Sequence, residues 1–221
     1  SLCKIEVAKI VIGIINKILK NDSVQFNIVS IPTIEEHEQK TSPDKYQSQL
    51  VTLLTKTLEL EPSKKVREIV KQLLVSKYEI LRRIVFHIIN YHYNEFKDIF
   101  WNLEKSPLET TYIHEIYELL KKNCQNFSAG ELETITTWIE EIGARDELKD
   151  LDSNSEKNAY YKKEWFGALL RCENLKVKEL HQKYNSINDT PIKHPGFHRW
   201  LYGAGILKEK NPIEKHEFLK K

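Results

Sequence analysis

Near the middle of the chain, residues 78–90 read YEILRRIVFHIIN. Apolar residues point in nearly every direction around a helix built from this stretch, and the interruptions are Arg82, Arg83 and His87. A helix that is apolar on most sides is contacted by neighbouring elements on several of them. The stretch therefore predicts a central helix around which the rest of the chain packs.

Apolar residues with helical spacing continue on both sides of this central stretch. Only seven of the 221 residues are Gly, which favours helices over a sandwich or barrel rich in turns. Short connections make sequential helices pack as antiparallel hairpins. We therefore predict an all-α fold, an irregular α-solenoid-like array of antiparallel helix pairs with a less regular, aromatic-rich C-terminal tail. No exact internal repeat is present.

Two local patterns predict where individual helices begin. Ser106-Pro107 places a capping residue before Pro, and Ser42-Pro43 and Asn211-Pro212 repeat this pattern. Ser128 is followed three residues later by Glu131, which is the spacing of a capping box. Each pattern indicates the first turn of a helix.

The distribution of polar residues suggests a division of the chain. We predict a helical-repeat stack over residues 1–142, a polar linker over 143–158, and a C-terminal helical pair plus tail over 159–221. The C-terminal part is expected to pack on the stack, and one continuous domain is the alternative division. The chain contains no Met, which suggests a fragment of a longer protein.

Composition excludes several classes of protein. The 34 basic and 32 acidic residues nearly cancel, so no overall charge favours nucleic acid or an anionic membrane. No apolar stretch predicts a membrane span, and no membrane partner is expected. Cys3, Cys124 and Cys172 lie far apart in the sequence, which suits reduced thiols in a cytoplasm. The sequence predicts no cofactor and no metal site.

Arg82 and Arg83 allow two interpretations. A guanidinium group can bind a phosphate or a carboxylate ligand through its rigid fork of donors. In the other interpretation, one arginine faces solvent and the other pairs with an acidic residue of a neighbouring helix. We favour the second, because an unpaired charge is unfavourable among apolar neighbours.

His37 is the main candidate for acid–base chemistry. It lies among Glu35, Glu36 and Glu38, but no second group of metal-ligating residues accompanies it. A solvated loop, or a loop that His37 docks on a helix, is the alternative. We assign no catalytic residue from the sequence.

Arg199, Trp200 and Tyr202 are a further candidate group in the C-terminal tail. Arginine and aromatic residues dominate the energetics of protein interfaces, and aromatic rings also stack on bases. The alternative is that these side chains pack in the core. The tail is locally basic, but its excess of charge is too small to establish nucleic-acid binding.

Four stretches together resemble the helical-repeat region of large bacterial ATP-binding proteins of the signal-transduction NTPase kind, which occur among anti-phage defence systems. The resemblance covers about Ile31 to Pro212, and the chain contains no Walker A motif, so that an NTPase module would lie outside it. The four stretches are residues 34–39, residues 76–87 with Arg82 and Arg83, residues 114–117, and residues 194–197 with Trp200.

This resemblance implies a scaffold or sensor arm that contacts a phage component or a sister subunit. The first hypothesis is therefore a non-catalytic helical module that binds another protein. The second is a helical enzyme that acts on a nucleotide or nucleic acid through a site around His37. The third is a nucleic-acid-binding helical domain that uses the basic tail.

Overall fold

The computed structural model describes the backbone of residues 2–21, 26, 31–37, 45–60, 62–108, 113–143 and 151–196. Within these ranges the regular structure is helical throughout, so the fold is all-α. The α-helices are α1 (Leu2–Asn21), α2 (Tyr46–Glu59), α3 (Lys64–Leu74), α4 (Glu79–Tyr91), α5 (Tyr93–Trp101), α6 (Ile113–Asn123), α7 (Ala129–Glu140), α8 (Leu151–Leu169) and α9 (Leu175–Ile187). Short 3-10 helices, Cys124–Asn126 and Leu170–Cys172, follow α6 and α8.

Helix α4 is the centre of the molecule, as the sequence predicts. It packs against α2, α3, α5 and α6. The residues of α4 that are buried are Ile80, Leu81, Arg83, Ile84, Val85, Phe86, Ile88, Ile89 and Asn90. Its apolar surface is wide because four neighbouring helices share it.

Several helices that are adjacent in the chain are also adjacent in space. Helix α1 packs mainly against α2, α3 packs against α4, and α8 packs against α9. Helix α8 also contacts α6 and α7, which joins the C-terminal helices to the preceding ones. The all-α class is confirmed, whereas the solenoid-like arrangement stays a prediction.

Side-chain caps define the beginnings of several helices. The capping box at α7 is present: the Ser128 hydroxyl accepts from the Glu131 amide at 3.2 Å, and the Ser128 amide donates to the Glu131 carboxylate at 2.7 Å. Ser63 caps α3 and Asn174 caps α9, each through a side-chain oxygen that accepts from the amide three residues on. These bonds satisfy amides that have no partner within the helix.

The prediction that Ser106-Pro107 begins a helix is wrong. Pro107 and Leu108 form a bend, and the described part of α6 begins at Ile113. The Ser106 hydroxyl accepts from the Leu108 amide at 3.3 Å, two residues on. Serine forms such local turns as readily as helix caps. Ser42-Pro43 and Asn211-Pro212 lie outside the described residues.

The predicted polar linker over residues 143–158 overlaps helix α8, which begins at Leu151. Ser155, Glu156 and Lys157 are exposed on this helix. The division into a stack, a linker and a C-terminal part stays a prediction.

Among the helices of the described residues, none is long and apolar enough to cross a bilayer.

Candidate functional site

A network of buried charged side chains lies where the segment 31–37 crosses α4 and α6. Ile31, Thr33, Ile34 and Glu35 of this segment are all buried. Helix α4 contributes Arg83, His87 and Asn90 to the network. These residues are four and three positions apart, so they share one face of the helix.

Arg83 and Glu115 form a fully buried ion pair between α4 and α6. Arg83 Nη2 and Nε donate to Glu115 Oε1 at 2.9 and 3.2 Å. Both side chains are 1% exposed. Arg83 Nη1 donates to the Ile31 carbonyl at 2.5 Å, and the Ile34 amide donates to Glu115 Oε1 at 3.0 Å. The pair therefore holds the segment 31–34 against both helices.

His87 lies between two carboxylates from different elements. Its Nδ1 is 2.9 Å from Glu35 Oε1, and its Nε2 is 2.8 Å from Glu59 Oε1 of α2. Burial by itself would lower the pKa of His87, but hydrogen bonds to Glu35 and Glu59 and their charges outweigh it and raise the pKa to about 9. The imidazole is therefore protonated at neutral pH and donates from both nitrogens.

The pKa values of the two carboxylates, Glu35 and Glu59, shift in the opposite direction. Burial would raise the pKa of Glu35, but bonds from His87 and Asn90 and the charges of His87 and Lys122 lower it to about 2. The hydrogen bond from His87 is the main reason that the pKa of Glu59 is also about 2, and Lys56 adds to it against the effect of burial. Both groups are ionised at neutral pH.

Polar side chains extend the network from α4 to α6. Asn90 Nδ2 donates to Glu35 Oε1 at 3.0 Å, and Asn123 Nδ2 donates to Asn90 Oδ1 at 2.9 Å. Lys122 Nζ donates to Glu35 Oε2 at 3.2 Å. Glu35 thus accepts from three residues on two helices, and its carboxylate anchors the segment 31–37.

This geometry is typical of a structural network, in which His87 is neither a general base nor a metal ligand at neutral pH. A general base or a metal ligand needs an imidazole nitrogen with a free lone pair. Both nitrogens of the protonated His87 donate to carboxylates, so neither has a free lone pair at neutral pH. Within the described ranges, no three His, Cys, Asp or Glu side chains are arranged to hold a metal ion.

Arg82 and Arg83 take different positions. Arg83 is the buried, paired residue described above. Arg82 is half-buried, and its Nη1 donates to the Ser76 carbonyl at 2.7 Å, just before α4 begins. The structure therefore gives both arginines partners within the chain.

The His37 ring makes an edge contact with His114 of α6, with ring centroids 5.2 Å apart. Glu35, two positions before it, bonds to His87. Glu36 is exposed, and Glu38 lies outside the described residues. Arg199, Trp200 and Tyr202 also lie outside them. A site around His37 and an interface at the tail stay predictions.

Sequence reasoning missed Glu59 and Glu115 as members of the network. A signal for them was present in α4, because Arg83, His87 and Asn90 form a polar row on a helix that is otherwise apolar. Buried cations require carboxylate partners. The row predicts that such partners exist, although it does not say which residues supply them.

A second polar cluster fixes the segment that follows α9. Lys163, which is 3% exposed, donates to the carbonyls of Asn188 and Thr190 at 2.5 and 2.8 Å. The neighbouring Glu164 accepts from the Gly196 amide at 2.7 Å. These adjacent residues of α8 therefore hold residues 188–196 against the helix.

Comparisons with protein families, with curated proteins and with solved structures found no match to this chain. The fold class and the buried network thus rest on the geometry described above.

Proposed function

We propose that the chain is a non-catalytic helical scaffold or sensor module that binds another protein. It would belong to a larger bacterial protein of anti-phage defence. The resemblance of residues 31–212 to helical-repeat regions supports the assignment to a larger defence protein. The surface of α2 supports the binding of another protein.

A row of large apolar side chains along α2 carries the proposal. Tyr46, Leu53 and Leu60, which follows the last residue of α2, are 55%, 47% and 57% exposed. They are spaced seven residues apart, so they lie along one line of the helix. A row at this spacing fits the side of a partner helix, whereas isolated exposed apolar residues need no partner.

The buried network supports a structural role for the polar centre of the molecule. Arg83, His87, Glu35, Glu59 and Glu115 are engaged with one another or with the backbone. Such bonds fix the relative positions of α2, α4 and α6. A scaffold that transmits a contact to a remote module requires this kind of rigid connection.

The partner would be a phage component or a sister subunit, and α2 would contribute the central contacts. A carboxylate introduced at Leu53 would have to be desolvated in such an interface. The substitution leaves the core intact, since Leu53 is 47% exposed. Leu175 on α9 is 70% exposed and provides a control with identical chemistry away from α2.

A quantitative pull-down with phage-infected and uninfected lysates tests this proposal. The immobilised wild type and Leu175→Glu should retain the same protein, and Leu53→Glu should retain about ten-fold less of it. Equal retention by both variants would exclude the α2 row. Failure of the wild type to retain any protein, together with hydrolysis of a nucleotide or nucleic acid by the isolated chain, would overturn the proposed function.

A further inference from the structure

Cys124 and Cys172 are 48 positions apart in the sequence, and the structure brings the short helices that carry them together. Cys124 begins the 3-10 helix that follows α6, and Cys172 ends the 3-10 helix that follows α8. These two short helices pack against each other, and Gln125 Nε2 donates to the Arg171 carbonyl at 3.1 Å. The contact joins the α6–α7 corner to the α8–α9 corner.

Both residues are free thiols on the two packed 3-10 helices. They are near enough that Cys172 contributes to the raised pKa of Cys124. Cys124 is 2% exposed, whereas Cys172 is half-buried. Reagents therefore reach Cys172 first. Cys172 Sγ donates to the Leu169 carbonyl at 2.5 Å, which fixes its position on the 3-10 helix.

We infer that Cys124 and Cys172 form a redox-active dithiol that a small disulfide oxidises to an intramolecular disulfide. This modification site is independent of the proposed function, because neither residue lies on α2 or in the buried network. Its closure would join two corners of the fold covalently, at a place where their 3-10 helices already pack against each other. The co-reactant is a low-molecular-weight disulfide such as oxidised glutathione.

The reaction takes place in two exchange steps. The Cys172 thiolate attacks one sulfur of the small disulfide, which forms a mixed disulfide at Cys172 and releases one small thiolate. The Cys124 thiolate then attacks the Cys172 sulfur and releases the second small thiolate. Two protein thiols lose two protons and two electrons, and one small disulfide is reduced to two thiols.

The environment of Cys124 agrees with this order. Burial and the neighbouring Cys172 charge raise the pKa of Cys124 to about 12. Its thiol is therefore a poor first nucleophile at neutral pH. Once Cys172 is in the mixed disulfide, it no longer carries a charge that opposes ionisation of Cys124. The second step then has the advantage of proximity, because the two cysteines lie on 3-10 helices that pack against each other.

The test uses the full chain, first reduced and then incubated with oxidised glutathione. Mass spectrometry after tryptic digestion should show the peptide of residues 123–145 joined to that of residues 172–176. The intact chain should be lighter by the mass of two hydrogens. A glutathione adduct that persists on Cys172, or a disulfide that joins two chains, would overturn the inference.

Three serine variants identify the role of each thiol. Cys124→Ser should stop at a glutathione adduct on Cys172, and Cys172→Ser should leave Cys124 reduced. Cys3→Ser is the matched control and should give the same linked peptides as the wild type. Glutathione addition to Cys124 in Cys172→Ser at the wild-type rate would contradict the assigned order. Circular dichroism establishes that each variant is folded.

Thermal unfolding supplies a second readout. The oxidised wild type and oxidised Cys3→Ser should melt about 5 to 10 °C above their reduced forms, because the crosslink restricts the unfolded chain. The two single variants at Cys124 and Cys172 should show no such increase. An unchanged melting temperature in a chain that carries the linked peptides would show that the bond strains the fold, which contradicts the close approach described above.

Discussion

His87 joins three different parts of the chain. Glu35 comes from the segment before α2, Glu59 from the last turn of α2, and His87 itself from α4. Each carboxylate accepts from a different ring nitrogen. The protonated imidazole therefore acts as a bridge whose strength depends on pH, and its charge is a structural feature.

The pH dependence of stability should reflect this bridge. The pKa of His87 is about 9 in the folded chain against 6.5 ordinarily, so its contribution is complete below pH 6.5 and is lost as the pH rises through 9. The contributions of Glu35 and Glu59 are complete above pH 4.5 and are lost as the pH falls through 2. We expect the difference in unfolding free energy between the wild type and His87→Gln to be largest between pH 4.5 and 6.5.

Denaturant titrations at a series of pH values measure this difference. His181→Gln is a useful control, because burial and the Lys163 charge lower the pKa of His181. The difference in unfolding free energy between the wild type and His181→Gln should change only below pH 6.5 and should stay constant as the pH rises to 9. A His87→Gln difference that is constant from pH 6.5 to 10 would contradict the bridge.

The Arg83–Glu115 pair gives a second prediction at the scale of single residues. Glu115→Gln keeps the shape of the side chain but leaves the Arg83 guanidinium buried without a counter-charge. We expect a loss of about 3 to 5 kcal/mol in the free energy of unfolding. Equilibrium denaturation in urea provides the measurement.

Glu133→Gln is the matched control for Glu115→Gln. Glu133 is exposed on α7, so its substitution should change stability by less than about 0.5 kcal/mol. Similar small losses for both variants would mean that Arg83 finds another partner or that water enters the site.

The segment that follows α9 contains a residue with unusual backbone dihedral angles. Gly196 has a φ of +80°, in a region that residues with a side chain rarely adopt. A Cβ atom on Gly196 would lie 2.9 Å from His114 Nδ1 and 3.2 Å from the His114 Cα. The chain thus approaches α6 closely at this residue, while its amide bonds to Glu164.

Gly196→Ala should therefore destabilise the fold by roughly 1 to 3 kcal/mol, from both strain and the contact with α6. Gly13→Ala is the opposite case, because Gly13 lies within α1 and a Cβ atom there meets nothing within 4 Å. That substitution should stabilise by up to about 1 kcal/mol. Thermal unfolding of both variants checks the signs, and a stabilising Gly196→Ala would contradict the close approach.

At the scale of the whole molecule, burial differs sharply between helices. Helix α4 is enclosed by α2, α3, α5 and α6, whereas α1 packs mainly against α2. A helix with many neighbours does not open by itself. Its backbone amide hydrogens therefore exchange with solvent only when the whole domain unfolds. We expect α1 to open more readily, because it packs mainly against one helix.

Hydrogen exchange followed by mass spectrometry should reveal this difference in local stability between α1 and α4. Peptides from residues 80–91 should exchange most slowly, at rates set by global unfolding, and peptides from residues 5–19 should exchange faster. In Glu115→Gln the protection of α4 should fall with the global stability. Equal protection of α1 and α4 would show that these helices unfold as one unit and would contradict the expected difference in protection.

The sequence by itself determined the fold class, the central helix and several local features. Residues 78–90 predicted a helix with neighbours on several sides, and the Ser128–Glu131 spacing predicted a helix start that is present. Helical periodicity and capping are local properties, which depend on residues a few positions apart. Ser106-Pro107 shows the limit of this reasoning, because the same residues also form a turn.

Only the tertiary structure decided which residues meet. The sequence predicted one buried, paired arginine among Arg82 and Arg83, but the partner Glu115 lies 32 positions beyond Arg83. Glu35 reaches His87 across 52 positions, and Cys124 reaches Cys172 across 48. Such contacts depend on how the connections direct each helix onto its neighbours, and helical spacing alone carries no information about that direction.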